Sequence, residues 1–253
     1  MQAAQFQLHA AIEQRHWWFV GRREIVAALV EPLCSPGGVL LDVGCGTGAN
    51  AAGLADRYSV QAMDTSADAI RLATDRFPSV RFHHADVLDP AVPLPESLEV
   101  VLLLDVLEHI ADDAGFLSGL IDRLAPGTHL IVTVPARPDL WSPHDEAFGH
   151  HRRYTAATLA ATWEDLPVQR RLLSPFCSLL FPAIWAVRTA LRPWHRTTGA
   201  ADTDFRTLPD PLNRALLRVF AHERYRLRGL LSGRGRPYPA GSSLVAVLTK
   251  EAA

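Results

Sequence analysis

The stretch "LLDVGCGTGAN", residues 40–50, decides the fold. Leu40, Leu41 and Val43 form a short apolar run that ends at Gly44, the pattern of a buried parallel strand. Gly44, Gly46 and Gly48 then let the backbone turn sharply and approach a ligand without Cβ clashes. A helix beginning near Asn50 adds free N–H groups and the positive end of its dipole at the same place. A Gly-x-Gly pair alone does not name the ligand. A dinucleotide turn asks for its third glycine at position 49, where this chain has alanine, although that turn also accepts alanine. A nucleotide-binding domain with a different cofactor therefore stays open on this stretch alone.

Working outward, residues 3–33 read as helical with a break near Val20-Gly21, and Pro36-Gly37-Gly38 marks a turn. Downstream of the glycines the pattern predicts strands over 60–64, 80–86, 99–106, 128–135, 167–175 and 243–250. Between them it predicts helices over 50–58, over 66–77 with Ser66 as N-cap, over 112–127 stopped by Pro126-Gly127, and from Thr155 to Trp163. Residues 210–231 form one more helix, with Asp210 as its cap and Pro211 in its first turn. Seven strands alternating with helices of this length imply an α/β chain with a mostly parallel sheet and helices on both faces. Ligands in such sheets bind at the carboxyl ends of the strands. The polar residues of interest fall there: Asp42, Asp64, Asp86, Asp105, Glu108, His109 and the segment after Pro135.

Of the 253 residues, 48% are hydrophobic and 21% charged, a globular profile and not a disordered one. The net charge of −2 is unevenly spread, with −11 over residues 1–149 and +9 over residues 150–236. The second part is expected to face something anionic, the acidic first part, or only solvent. Three cysteines without paired or metal-ligand spacing point to a reducing compartment. The N-terminus has no basic-then-apolar signal pattern, and the apolar stretch between Arg171 and Arg188 is shorter than a membrane span and holds Pro175 and Pro182. A cytoplasmic protein without a transmembrane helix is the expectation.

The ordered series of glycine turn, Asp64, "HAD" (84–86), "LLLDVLEHI" (102–110) and "LAPGTHLIVTVP" (124–135) resembles the class I S-adenosylmethionine-dependent methyltransferases. The likeness covers roughly residues 38–174 and the final strand, and is closest to small-molecule enzymes such as those of ubiquinone biosynthesis. It implies a Rossmann-like sheet with an antiparallel seventh strand inserted between the fifth and sixth. It implies S-adenosyl-L-methionine as cofactor, with Asp42, Gly44, Cys45 and Gly46 along the methionine moiety and Asp64 and Thr65 at the ribose. Asp86 and Val87 would meet the adenine, and Asp105 would lie beside the amino-acid end and the transferred methyl. "HWWFVGRRE" (16–24) and "RPDLWSPHDEAFGHHRRYT" (137–155) resemble segments of a bacterial branch of the same family. On that resemblance residues 1–37 form a helical lid, 38–174 plus 241–253 the cofactor-binding core, and 175–240 a helical insertion or cap before the last strand.

Methyl transfer from a sulfonium needs an acceptor held in line, and a base if the acceptor is a hydroxyl. His144 is the first candidate for that base and His109 the second, followed by His150 and His151. Trp17, Trp18 and Trp141 would supply stacking walls, and Asp145, His150, Arg152 and Tyr154 complete the expected acceptor contacts. Arg152 and Arg153 read as ion-pair partners of Asp145 or Glu146, or as a clamp for an acceptor carboxylate or phosphate. No metal is expected. The alternative is a divalent cation on Glu108, His109 and His144, because a similar acidic-x-x-Glu-His element binds a metal in some related O-methyltransferases. The expected reaction is O- or N-methylation of a small-molecule acceptor. The alternatives are a lipid-linked acceptor at a membrane surface, or a protein of this fold that binds the cofactor without methyl transfer. Nucleic acid is not expected as a partner. The insertion offers either a peripheral membrane contact through 175–231 or a homodimer face.

Overall fold

The computed structural model describes residues 3–199 and 203–252, so the outer ends of the ranges 1–37 and 241–253 and part of 175–240 lie outside the described residues. Two helices, α1 (Ala3–Ile12) and α2 (Trp17–Val30), precede β1 (Val39–Val43). Then come α3 (Ala49–Leu54), β2 (Ser59–Asp64), α4 (Ala67–Arg76), β3 (Arg81–His84) and β4 (Leu98–Leu104). Next are α5 (Asp113–Asp122), β5 (His129–Pro135), α6 (Pro143–Phe148), α7 (Ala156–Ala161) and β6 (Val168–Phe176). The chain ends with α8 (Phe181–Leu191), α9 (Asp210–Leu231) and β7 (Ser243–Lys250).

The seven strands make one sheet in the order β3-β2-β1-β4-β5-β7-β6. β7 runs antiparallel to both β5 and β6, and the other pairings are parallel. Successive residues of the central strands alternate between two cores because side chains of a strand point to opposite faces. Leu40, Leu102 and Val247 pack with Ile25 and Leu29 of α2 and with Phe220 and Leu227 of α9. Leu41, Leu103 and Leu248 pack on the other face with Leu117 and Ile121 of α5 and Leu159 of α7. This two-sided burial is why β4, β5 and β7 read as continuous apolar runs.

Local chemistry fixes the helix starts. Ser66 accepts from the Ala69 N–H at 3.3 Å, Asp112 from Gly115 at 2.9 Å, and Thr155 from Thr158 at 3.1 Å. Two expectations change. The N-terminal break falls over residues 13–16, where His16 caps α2, and not at Val20-Gly21. Gly21 lies inside α2, and because a Cβ there would come within 2.5 Å of the Phe220 ring, the glycine is the seat of α9. The N-cap of α9 is Pro209, with Asp210 already inside the helix.

β4 stops at Leu104 because Asp105 turns into the left-handed region, at φ 58°. The chain order of the sheet reverses between β1 and β4, and the ends of these two strands open the crevice where such sheets bind ligands. Gly44 follows β1 at φ 69°, and a Cβ on it would meet the Val106 side chain at 2.7 Å. Gly44→Ala is therefore expected to be strained twice over, by conformation and by contact, at about 1–3 kcal/mol. Calorimetry with S-adenosylhomocysteine should show its affinity reduced at least tenfold.

Candidate active site

A cavity of about 480 Å³ opens at the crevice, and its floor is Gly44, Cys45, Gly46, Asp105, Pro135 and Ser243. α1 and α2 contribute His9, His16, Trp17, Trp18 and Arg22 to its wall. His144, Phe148, His150 and Arg153 come from the segment after β5, and Leu180, Ile184, Val187 and Leu216 from α8 and α9 and their approaches. Phe205 closes an aromatic cluster, lying 4.7 Å from Phe19, 5.2 Å from His144 and 5.8 Å from Trp18, ring centre to ring centre.

The floor is tied to the N-terminal helices by ion pairs. The Arg22 guanidinium pairs with Asp105, stacks over Trp18 at 4.5 Å, and leaves its Nε buried without a partner. Asp105 also accepts from Thr133 Oγ1 at 3.0 Å, which locks its carboxylate at the end of β4. Glu13 pairs with Arg76 and accepts from Thr47 Oγ1 at 2.7 Å, so the end of α1 is fastened across the glycine turn. Asp64 accepts from Gly46 N–H at 2.9 Å and Ser66 N–H at 2.8 Å, joining the glycine turn to the start of α4. Asp42 lies beneath the turn, fully buried with one oxygen unpartnered. Burial pushes its carboxyl up to about 7, against the pull of Arg22.

Of the residues expected at the cofactor, Gly44, Cys45, Gly46 and Asp105 line the cavity. Asp42, Asp64, Thr65, Asp86 and Val87 stand at the neighbouring strand ends but not on its wall. Asp64 is occupied in shaping the turn, Val87 is buried, and Asp86 is exposed and accepts from Leu88 N–H at 2.9 Å.

The histidines differ sharply. His144 is half-buried, and its Nδ1 accepts the Asp204 N–H at 3.0 Å. Its neutral ring therefore carries its proton on Nε2 and presents a donor, not a base. Burial and the nearby Arg188 hold it well below the ordinary value, so it stays neutral. His109 is driven down to about 3 by burial and by His150, whose ring lies 4.8 Å away. His150 places Nδ1 3.0 Å from the Asp145 carboxylate, which leaves Nε2 as a free acceptor. Asp145 has no exposure, and Arg153 donates to it at 2.8 Å while Arg188 lies 3.7 Å away. Burial would raise this carboxyl, but the hydrogen bond with His150 and the two guanidiniums outweigh it and hold it well below the carboxylate range.

Of the residues expected as acceptor contacts, Trp17, Trp18 and His150 lie on the cavity wall. Trp141, Asp145, Arg152 and Tyr154 do not. Trp141 donates its indole N–H to Glu146 at 3.2 Å, and Asp145 sits behind His150. Arg152 pairs with Asp113 at 2.7 Å, and the buried Tyr154 donates its hydroxyl to the same carboxylate at 2.6 Å. These four residues fasten the segment after β5 to α5 and to itself. The wall also holds residues that the sequence did not single out: His9, Glu13, Arg22, Arg188 and Phe205.

Glu108 is fully buried with both carboxylate oxygens unpartnered, and burial together with Asp105 pushes it well above the ordinary carboxyl value. One ligand atom each from Glu108, His109 and His150 lies within 4.8 Å of the others, a spacing that suits a divalent cation. His150, not His144, is the second imidazole of that set, because His144 is turned toward Asp204.

The family profile described as a methyltransferase domain matches residues 15–166. The chain belongs to the S-adenosylmethionine-dependent methyltransferases. It is 31% identical over 208 residues to a trans-aconitate 2-methyltransferase of Rhodopseudomonas palustris, covering 76% of this chain and 77% of that one. It is 30% identical over 157 residues to a probable S-adenosylmethionine-dependent methyltransferase of Mycolicibacterium smegmatis, covering 60% of each. The fold is shared with the plantazolicin methyltransferase BamL, solved with a desmethyl analogue of its substrate and S-adenosylhomocysteine. The TM-score is 0.55 at 13% identity, over 98% of this chain and 89% of that one. This methyltransferase therefore takes S-adenosylmethionine as its cofactor. The residues present fit it: a Cβ on Gly46 would stand in open space, and the buried Arg22 Nε on the cavity wall offers a donor without a partner. No helix among the described residues is long and apolar enough to cross a membrane.

Proposed function

We propose that this methyltransferase transfers a methyl group to an oxygen or nitrogen of a small, largely apolar acceptor, with His150 as the base. The observation that carries the reading is the Asp145–His150 pair: a histidine on the wall of the cavity floored by Gly44–Gly46, held by a buried ionised carboxylate. When bound, the cofactor supplies an electrophilic methyl on a sulfonium and leaves as S-adenosylhomocysteine. His150 Nε2 takes the proton from the attacking hydroxyl or amine as the new bond to carbon forms. Asp145 keeps the ring oriented and stabilises the imidazolium that results. His144 donates its Nε2–H to orient the acceptor, and Trp18, Phe205 and Leu216 exclude water. Residues 1–37 and 175–240 serve as the covers over the core 38–174 and 241–253, because both contribute walls to the cavity.

An acceptor as acidic as trans-aconitate meets few free cations in this cavity. The guanidiniums of Arg22, Arg153 and Arg188 on its wall are each already paired with a carboxylate of the chain, and Arg206 is the one lining arginine without an ion pair among the described residues. Incubation with S-adenosylmethionine and candidate metabolites should give products heavier by one methylene, about +14 in mass, with S-adenosylhomocysteine in equal amount. Cofactor binding without any such product would overturn the transfer reading.

The orphaned Glu108 carboxylate favours a second reading, in which Glu108, His109 and His150 hold a divalent cation that polarises the acceptor. Two nitrogens and one carboxylate suit zinc or manganese better than magnesium. Metal analysis of protein purified without chelator decides between the readings. Close to one equivalent of cation, lost in Glu108→Gln, supports the second, and metal-free protein with full activity removes it.

A further inference from the structure

The outer surface of α8 and α9 has no partner in the chain. All seven large apolar side chains that are exposed among the described residues fall between Leu179 and Tyr225. Four of them, Leu179, Trp185, Val187 and Trp194, lie on α8 and its immediate flanks, and Trp194 is 69% exposed. Scattered exposed apolar residues mean little, but clustered ones mark an interaction surface. α8 reads Phe-Pro-Ala-Ile-Trp-Ala-Val-Arg-Thr-Ala-Leu and yet has no buried residue. A helix this apolar is expected to be covered on most of its surface.

α9 extends the same face. Its Glu223 accepts from the N–H groups of Ser178 and Leu179 at 2.7 and 2.8 Å, which sets this flank of α9 against the approach to α8. Leu212 and Val219 are exposed and fall within about 40° of Glu223 around the helix axis. Charge completes the pattern. Arg196 and Arg206 are exposed here and form no ion pair among the described residues, whereas the exposed Arg214 and Arg218 lie about 180° and 140° from Glu223 around α9 and face away from α8. Of the nearby acids among the described residues, Asp204 pairs with Arg188, Glu223 is buried, and Asp210 is exposed.

The cavity reaches this face. Val187 lines it and is also 45% exposed, while Leu180, Ile184 and Leu216 line its inner side. We propose that α8 and the adjoining flank of α9 dock on an anionic lipid bilayer, and that the cavity mouth beside Val187 opens toward that surface. Two exposed tryptophans, an apolar helix whose outer face is uncovered, and unpaired arginines with little acid among them are the features an interfacial helix uses. A second copy of the chain would leave these like charges facing each other. That the acceptor is an amphiphile entering from the bilayer rests on the methyl-transfer reading above, but the docking itself does not.

Co-sedimentation of the full chain with vesicles tests the docking without any turnover. Vesicles of equal parts phosphatidylglycerol and phosphatidylcholine should pellet the protein, and pure phosphatidylcholine should not. Binding should weaken as salt rises. Arg196→Gln should lower the affinity by about fivefold, the effect of one charge near the surface. Trp185→Ser with Trp194→Ser should abolish binding, while both variants keep their affinity for S-adenosylhomocysteine, which also shows that they are folded. No pelleting with anionic vesicles would overturn the proposal, as would pelleting unchanged in the tryptophan pair. A dimer in sedimentation velocity that the tryptophan pair dissociates would overturn it in favour of a second copy. Failure here with cofactor binding and methyl products intact leaves the catalytic reading standing. The reverse outcome separates the two in the other direction.

Discussion

His150→Gln should lower kcat by about 10²- to 10⁴-fold with little change in cofactor affinity. The expectation follows from the ring's two neighbours. Nδ1 faces the Asp145 carboxylate, so the imidazole is held in the tautomer that offers a lone pair on Nε2 to the cavity. Glutamine keeps roughly the size and polarity of the side chain but cannot accept a full proton. A measured kcat loss below tenfold would sink the assignment of His150 as base. The neighbouring histidine gives the control. His144 shares the wall, but its Nδ1 is committed to the Asp204 N–H. His144→Gln should act mainly through KM, by about tenfold, because it removes an orienting donor and no base. His150→Ala adds a further readout, because added imidazole should restore part of its rate and should do nothing for His144→Ala.

This ordering of the histidines reverses the one that the sequence suggests, and the reason is physical. In "HDEAFGHHRRYT" (144–155) spacing says only that several histidines follow β5. It does not say which of them meets a backbone N–H and which a carboxylate. His144 is fixed by Asp204, sixty residues later in a segment without a helical or strand pattern. The role of Arg22 is hidden in the sequence for the same reason. Its partner Asp105 is 83 residues away, and nothing local marks one arginine of an Arg-Arg pair as buried. By contrast, the glycine turn, the caps at Ser66 and Thr155, and the buried runs of β4 and β7 rest on interactions within a few residues or on period-two burial. Those were legible. The antiparallel seventh strand was expected on the family resemblance alone, and the pairing of β7 with β5 and β6 agrees with it. The exposure of α8 was not legible, since its composition reads equally well as a core helix.

Asp145→Ala should destabilise the fold by about 3–5 kcal/mol, the cost of leaving a buried charge without its partner. Asp145 is the anion shared by His150, Arg153 and Arg188, the last of which also pairs with Asp204, and it accepts from the Ser142 N–H at 3.0 Å. The Arg153 side chain is only 4% exposed, so water cannot replace the lost carboxylate. For a chain of this length the change corresponds to a fall in Tm of about 10 °C, readable by thermal denaturation. Acid should mimic part of the effect. The carboxyl is held well below its ordinary value in the fold, so its contribution is complete above the unfolded value near 3.8 and is lost as pH falls below that. The wild type should therefore lose stability more steeply between about pH 4 and 2 than Asp145→Asn does. Asn keeps the shape and one acceptor but has no charge to titrate. Equal acid slopes in the two proteins would mean that the network is not held by an ionised Asp145. The orientation of His150, and with it the base, would then need another source.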